Sequence, residues 1–305
     1  MTTFTPGLVH APVTPFTRDR KIDFPTFRKV IAFHLRHGAE ALAVQMHAGE
    51  SVSLSDAEQR KVLEFVIKQV KGKVPVIAHV SDSGTAIAAD RAKFAQNAGA
   101  AAIVSTCTYY WTPPAPMVAE HLATIASAVK IPFFLHYAPD EMGGTHHINT
   151  AMVMSLIDRL PNFAGVVDSS LDWQFMINIL SNAWRKQPSF QLAAGSEYMV
   201  SAGAVGATSL FTSLAAVAPR AIRRLYDICR TEQYFDARAL QEDIVVLRQT
   251  LKPFGRAGLK GAMRAMGRSC GTVRPPLDAL TPAQYTKLAA ALKKLKWLKD
   301  EPRGW

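Results

Sequence analysis

The sequence predicts an α/β protein, a (β/α)8 TIM barrel followed by a C-terminal helical extension. Apolar runs of four to six residues alternate with helical stretches, which is typical of parallel βα units. Eight such runs fall within roughly the first 230 residues, and eight is the number that a closed barrel requires. The predicted strands cover residues 8–13, 41–45, 74–79, 101–105, 132–137, 164–168, 190–194 and 206–210.

Helix signals lie between these runs. Asp23 is placed to cap a helix that ends near His37, and Ser55 with Glu58 forms a capping-box pattern at the start of the next helix. Three further helices, near 235–251, 259–266 and 282–296, follow the last strand. We therefore predict a barrel over residues 1–230 and a helical extension over 231–305. No Gly/Ser-rich linker separates them, so we expect the extension to pack on the barrel.

Composition narrows the classes of partner and compartment. The formal net charge is +11, but much of it falls in two predicted helices, which favours solvated helix faces over a nucleic-acid surface. No stretch reaches the ~18 apolar residues of a membrane span. The N-terminus lacks the basic-then-apolar order of a signal peptide, so we expect a cytoplasmic protein. Three cysteines without paired spacing argue against a disulfide framework and fit a reducing compartment.

Polar residues follow the predicted strands, where TIM barrels place their chemistry. The candidates are Gln45, His47, Glu50, His79, Ser81, Asp82, Tyr109, Tyr110, His136, Tyr137, Asp140, Glu141, Asp168, Glu197 and Ser209. Cys107 also follows a strand, but no histidine can be placed beside it, so we expect a partly buried thiol without a nucleophilic role.

The segment around the sixth predicted strand carries a family pattern. Gly165, Val166, Asp168, Ser169 and Ser170 fit Gly-[Ile/Val]-Lys-Asp-[Ser/Ala]-Ser, the strand-six pattern of the dihydrodipicolinate synthase/N-acetylneuraminate lyase family. Further segments resemble that family in order and spacing: Thr14-Pro15-Phe16, Gly49-Glu50, 54–60, 74–78, Tyr109-Tyr110, Lys260 and 274–277. The resemblance covers nearly the whole chain and implies a homo-oligomer, a tetramer or a dimer.

The resemblance fails at the positions that carry the family's chemistry. Val167 stands where the family's lysine forms a Schiff base with a 2-oxo acid. His47 and Ala48 replace two threonines that bind the pyruvate carboxylate and join a Thr-Tyr-Tyr proton relay. His136 replaces a relay tyrosine, whereas Tyr110 is kept, and Glu141 matches the carboxylate-binding arginine.

These departures predict a site without covalent catalysis. His136, His47 and Tyr110 are the expected acid–base residues, because imidazole gives and takes protons near neutral pH. An apolar neighbour at position 167 disfavours a charged imidazole, so we expect a lowered pKa at His136. The expected substrate contacts are Gln45, Ala48, Tyr137, Glu141, Val167, Asp168 and Ser209.

The predicted function is a lyase reaction on a small, polar oxo- or hydroxy-acid, with no cofactor and no metal. Two other classes stay open. The chain is alternatively a binder or regulator that keeps the cavity without the chemistry. It is otherwise a metal-assisted hydratase or hydrolase, with His47, His79 and His136 joined by Asp168 or Glu197 as ligands. No nucleic acid or membrane partner is predicted.

Overall fold

Eight parallel strands form a closed barrel in sequence order, in a computed structural model that describes residues 4–139 and 148–305. The strands are β1 Leu8–His10, β2 Ala41–Val44, β3 Val76–His79, β4 Ala102–Ser105, β5 Phe133–Tyr137, β6 Phe163–Asp168, β7 Gln191–Ala194 and β8 Ser209–Thr212. Helices lie between the strands and follow the last one. The predicted (β/α)8 barrel with C-terminal helices is confirmed.

The helices begin and end close to their predicted positions. Asp23 accepts a hydrogen bond from the amide of Thr26, and Ser55 forms a complete capping box with Glu58. The helices are α1 Phe24–Arg36, α2 Asp56–Val70, α3 Thr85–Ala98, α4 Ala115–Ser127, α5 Thr150–Arg159, α6 Trp173–Lys186, α7 Met199–Ala204, α8 Pro219–Arg230, α9 Tyr234–Leu251, α10 Ala257–Ala265 and α11 Pro282–Lys294. Within the described part of the chain, no helix is both long enough and apolar enough to cross a membrane.

Two strands differ from their predicted bounds by three residues at one end. β1 ends at His10 rather than at residue 13. β8 begins at Ser209, because the left-handed backbone of Gly206 (φ 109°) turns the chain before the strand can start. Ser209 is thus the first residue of its strand, and its hydroxyl accepts a hydrogen bond from the amide of Gly7 at 3.1 Å. The prediction that Ser209 lies at a carboxyl strand end is wrong.

The chain divides into two compact units. The first consists of Met1–Gly7 and Pro75–Phe211, and the second of Leu8–Val74 and Thr212–Trp305. In the first unit, strands β3, β4, β5 and β7 are buried along their whole length, as expected for parallel strands covered by helices. Gly165 lets β6 approach β7 closely, because a Cβ atom there would overlap the carbonyl oxygen of Gln191.

The second unit is held by buried polar side chains as well as by apolar packing. Arg268 is fully buried and donates hydrogen bonds to the carbonyl oxygens of Ala216, Val217 and Pro302. His10 and His34 are both fully buried, with their Nδ1 atoms 3.0 Å apart. At that distance one ring donates and the other accepts, so the accepting ring is neutral. Burial lowers the pKa of His34 to about 3.

Candidate active site at the strand ends

The centre of the first unit's candidate site is a pair of residues on neighbouring strands. His136 on β5 is directly opposite Val167 on β6 in the strand register. Paired residues on adjacent parallel strands project to the same face of the sheet. Val167 is fully buried and His136 is 3% exposed. The imidazole therefore lies beside the position that the sequence matched to the family's lysine.

A serine after β6 holds the imidazole. Ser169 Oγ lies 3.0 Å from His136 Nε2. Ser169 is two residues beyond Val167, which places it on the same face of the strand. Gly195, just after β7, leaves room for that hydroxyl, because a Cβ atom there would overlap Ser169 Oγ. The sequence analysis did not select Ser169, although the spacing of two residues from position 167 is a usable signal.

The protonation state of His136 follows from its surroundings. Burial lowers its pKa from 6.5 to about 4, so the ring is neutral at pH 7. The direction agrees with the expectation from sequence. A neutral ring can accept a proton from a substrate and return it.

A second imidazole lies at the end of β3. His79 Nε2 is 2.8 Å from Ser81 Oγ, and that oxygen accepts a hydrogen bond from the amide of Thr106 at 2.7 Å. The hydroxyl of Ser81 thus links the imidazole at the end of β3 to the backbone after β4. Burial, with smaller contributions from His136 and Arg91, lowers the pKa of His79 to about 3. His79 is therefore a neutral ring that shares a hydrogen bond with Ser81.

Asp168 and Tyr137 lie on the opposite face of their strands. They pair with each other in register, one residue beyond the His136–Val167 pair, and successive strand residues alternate in direction. Asp168 accepts a hydrogen bond from Ser170 Oγ at 2.8 Å, and burial raises its pKa to about 6. The pleat therefore directs these two residues away from the face of His136 and Val167, and their role as substrate contacts stays a prediction.

Tyr110 lies outside the buried group. Its side chain is 87% exposed, and its left-handed backbone (φ 72°) is the local cause, because it turns the residue out of the path set by β4. Its ring makes an edge-to-face contact with Trp111 at 5.0 Å between centroids. The predicted grouping of Tyr110 with His136 is therefore wrong within a single chain. Cys107 is fully buried, and burial raises its pKa to about 12, so it is no nucleophile.

In the second unit, the loop after β2 carries four of the residues selected from the sequence. Gln45 and Glu50, at the two ends of the loop, both have left-handed backbones (φ 64° and 55°). Gln45 Nε2 donates to the carbonyl oxygen of Gln59 at 2.7 Å, which makes Gln45 a support for the loop. His47 and Ala48 lie between the two ends and are half-buried.

A buried ion pair fixes the far end of that loop. Lys260 Nζ on α10 is 2.6 Å from Glu50 Oε1, and the two side chains are 4% and 3% exposed. The other carboxylate oxygen accepts a hydrogen bond from the amide of Arg274 at 2.9 Å. The sequence analysis missed this pair because the partners are 210 residues apart and no local pattern joins them.

Some of the residues selected from the sequence cannot be placed in the site. Glu141 lies outside the described residues, as do Asp140 and the His146-His147 pair. Within residues 4–139 and 148–305, no group of three or more His, Cys, Asp or Glu side chains is arranged to hold a metal ion.

Comparison with known proteins identifies the family. The model of the dihydrodipicolinate synthetase family matches residues 5–295. The chain belongs to this family. A 4-hydroxy-tetrahydrodipicolinate synthase of Methanopyrus kandleri is 30% identical over 298 residues, which span 96% of this chain and 97% of that protein. An uncharacterised DapA-like lyase of Halobacterium salinarum is 31% identical over 299 residues, 95% of this chain and 93% of that one.

Solved structures agree with that assignment. The crystal structure of dihydrodipicolinate synthase from Aquifex aeolicus has a TM-score of 0.89 and 25% sequence identity, and the match covers 98% of this chain and 99% of that one. The family resemblance inferred from the strand-six pattern is therefore confirmed. These matches support lyase chemistry in general and leave the substrate and the mechanism of this family member to be proposed.

Proposed function

We propose that this family member is a lyase for a small, polar oxo- or hydroxy-acid, and that His136 carries the proton in a reaction without a Schiff base. The observation that carries the proposal is the register pair of His136 with Val167. A valine side chain has no amine for a covalent intermediate. The neighbouring imidazole is a base that reaches the same face.

The reaction that fits this arrangement is proton transfer at a carbon next to a carbonyl or carboxylate group. A neutral His136 takes a proton from the carbon next to the oxo group of an oxo acid, or next to the carboxylate of a hydroxy acid. The leaving group departs from the neighbouring carbon, and the imidazolium gives its proton to that leaving group. Ser169 fixes the ring at Nε2. An anionic substrate near the ring favours the imidazolium, so binding raises the pKa of His136 from about 4 towards neutral pH. The roles expected for His47 and Ala48 from the sequence stay predictions.

A test that does not require the natural substrate is hydrogen–deuterium exchange. A panel of 2-oxo and 2-hydroxy acids is incubated with the protein in D2O, and NMR follows loss of the C3–H signal of the oxo acids and of the C2–H signal of the hydroxy acids. We expect exchange in at least one acid and a fall of roughly 10²-fold or more in His136→Ala. His121→Ala is the matched control, because His121 is also a buried histidine bonded to a hydroxyl, that of Thr85, but lies on α4.

Equal exchange rates for wild type and a folded His136→Ala would leave His136 as a cavity residue and overturn the assignment. Exchange by neither protein, combined with tight binding of an acid in calorimetry, would favour the binder reading instead.

The absence of a Schiff base has its own test. Incubation with pyruvate and borohydride should leave the mass of the protein unchanged, and condensation of pyruvate with aspartate semialdehyde should be undetectable at ordinary enzyme rates. A stoichiometric reduced pyruvyl adduct would show that another lysine has taken over. The expected homo-oligomer also stays a prediction. The exposed aromatic pair Tyr110 and Trp111 supports it, and light scattering after gel filtration measures it.

A further inference from the structure

A cavity lies in the second unit, lined by the loop after β1, by α10 and by residues 269–285. Its volume is about 750 Å³, within the usual range of small-molecule sites. None of the strand-end residues described above lines it. Its floor is preformed, because the amide of Phe16 donates to the carbonyl oxygen of Cys270 at 3.2 Å.

The lining of this cavity has an excess of positive charge. The lining contains three basic side chains, those of Arg18, Lys260 and Arg264, and one carboxylate, that of Asp23. Both oxygens of Asp23 are already engaged by Thr26, at 3.0 Å to its amide and 2.7 Å to its hydroxyl. The ammonium of Lys260 is neutralised by Glu50. The two arginines therefore determine the charge that a ligand would meet.

Neither arginine has a carboxylate of its own. Across residues 4–139 and 148–305, neither Arg18 nor Arg264 forms an ion pair. The guanidinium of Arg264 lies 3.9 Å from the centre of the Tyr285 ring, which fixes its plane. A guanidinium held in one plane is preorganised to bind a carboxylate or a phosphate through two parallel hydrogen bonds.

We propose that this cavity binds a small organic anion, with its carboxylate or phosphate group on Arg264 and Arg18. Ala279 and Leu280 add apolar lining for the rest of the molecule. The site is separate from the proposed catalytic group, and its ligand is recognised by charge and shape alone.

Isothermal titration calorimetry of the full chain at constant ionic strength tests the proposal. The probes are inorganic phosphate, succinate, benzoate and benzamide, the last being the neutral match of benzoate. We expect at least one anion to bind and benzamide to bind more weakly. The ranking of phosphate against the two carboxylates distinguishes the two oxyanion chemistries.

Variants locate the binding. Arg264→Gln should weaken binding by about tenfold or more, as expected for loss of a charge-assisted hydrogen bond, and Arg18→Gln should weaken it too. Arg238→Gln is the matched control, since Arg238 is also exposed and lies over an aromatic ring, that of Phe235, on α9. His136→Ala should bind as tightly as wild type, because His136 is outside this cavity.

Three results would overturn the proposal. One is that none of the anions binds at millimolar concentration. Another is that benzamide binds as well as benzoate, which means that the cavity recognises only apolar shape. The third is unchanged affinity in both arginine variants with loss in His136→Ala, which means that the anions bind at the strand ends. If Arg264→Gln does not fold, Arg18→Gln gives the same decision.

Discussion

Lowering the pH from 7 to 5 should strongly destabilise this protein, because it buries neutral histidines. Four of them have lowered pKa values: His34 and His79 about 3, His136 about 4, and His10 well below 6.5. Burial is the main cause in each case. In the unfolded chain these rings take up protons near pH 6.5. The folded chain does not, so its stability is present above pH 6.5 and falls as the pH drops towards the native pKa values.

The size of the effect follows from counting protons at pH 5. The unfolded chain binds about four more protons at these rings than the folded chain does. Asp168 opposes this by about one proton, because its native pKa of about 6 lets the folded state protonate first. A net difference of about three protons gives a slope of ~4 kcal/mol per pH unit. Domains have free energies of unfolding of only ~5–15 kcal/mol, so a loss of this size per pH unit decides whether the chain stays folded.

Urea unfolding followed by circular dichroism at pH 7, 6, 5.5 and 5 measures this slope. His34→Gln, which removes one ring of the His10–His34 pair, should reduce the slope by at least one proton's worth, ~1.4 kcal/mol per pH unit. His37→Gln is the control, because His37 lies three residues after His34 and is only half-buried. Its substitution should change the slope less than that of His34. A wild-type slope below ~1.4 kcal/mol per pH unit between pH 6 and 5 would refute the reasoning, since these rings would then be protonated in the folded state.

Three further outcomes are expected. Val167→Lys should place an amine beside His136 and create a borohydride-stable pyruvate adduct, seen as a mass increase; an unmodified, folded variant would show that pyruvate does not reach this position. Lys260→Met should lower the free energy of unfolding by about 3–5 kcal/mol, because it strands the buried Glu50 carboxylate. The double variant with Glu50→Gln should lose less, and equal losses in urea titrations would contradict a buried ion pair. Once a substrate is identified, the acid limb of kcat should lie at higher pH than that of kcat/KM, because the bound anion raises the pKa of His136; coincident limbs would exclude that effect.

The strands and helices were predicted well, because they depend on local sequence patterns. Strands β2 to β7 lie within two residues of their predicted bounds, and the Ser55 capping box was readable from two residues three positions apart. The position of His136 beside Val167 was also predictable, since it depends only on strand register.

The failures share a different physical origin. Tyr110 depends on the handedness of one loop residue, which periodicity does not report. Ser209 was misplaced because the turn at Gly206 delays the start of its strand. The Glu50–Lys260 pair joins segments far apart in the chain, so only folding brings its charges together. Loop handedness and long-range pairing are what a single sequence leaves open.

The loop after β2 has a consequence for how this chain can diversify. Its left-handed ends, Gln45 and Glu50, are tied to Gln59 and Lys260 by side-chain bonds that do not involve the residues between them. The path of the backbone is thus set by its anchors. Only His47 and Ala48 between them are half-buried, so these two positions can vary and present new side chains to a substrate without a new scaffold. A library randomised at positions 47 and 48 should retain folded proteins at high frequency, while one randomised at 45 and 50 should not. In a loop of this kind the anchor residues preserve the backbone, while changes between the anchors can alter the chemistry.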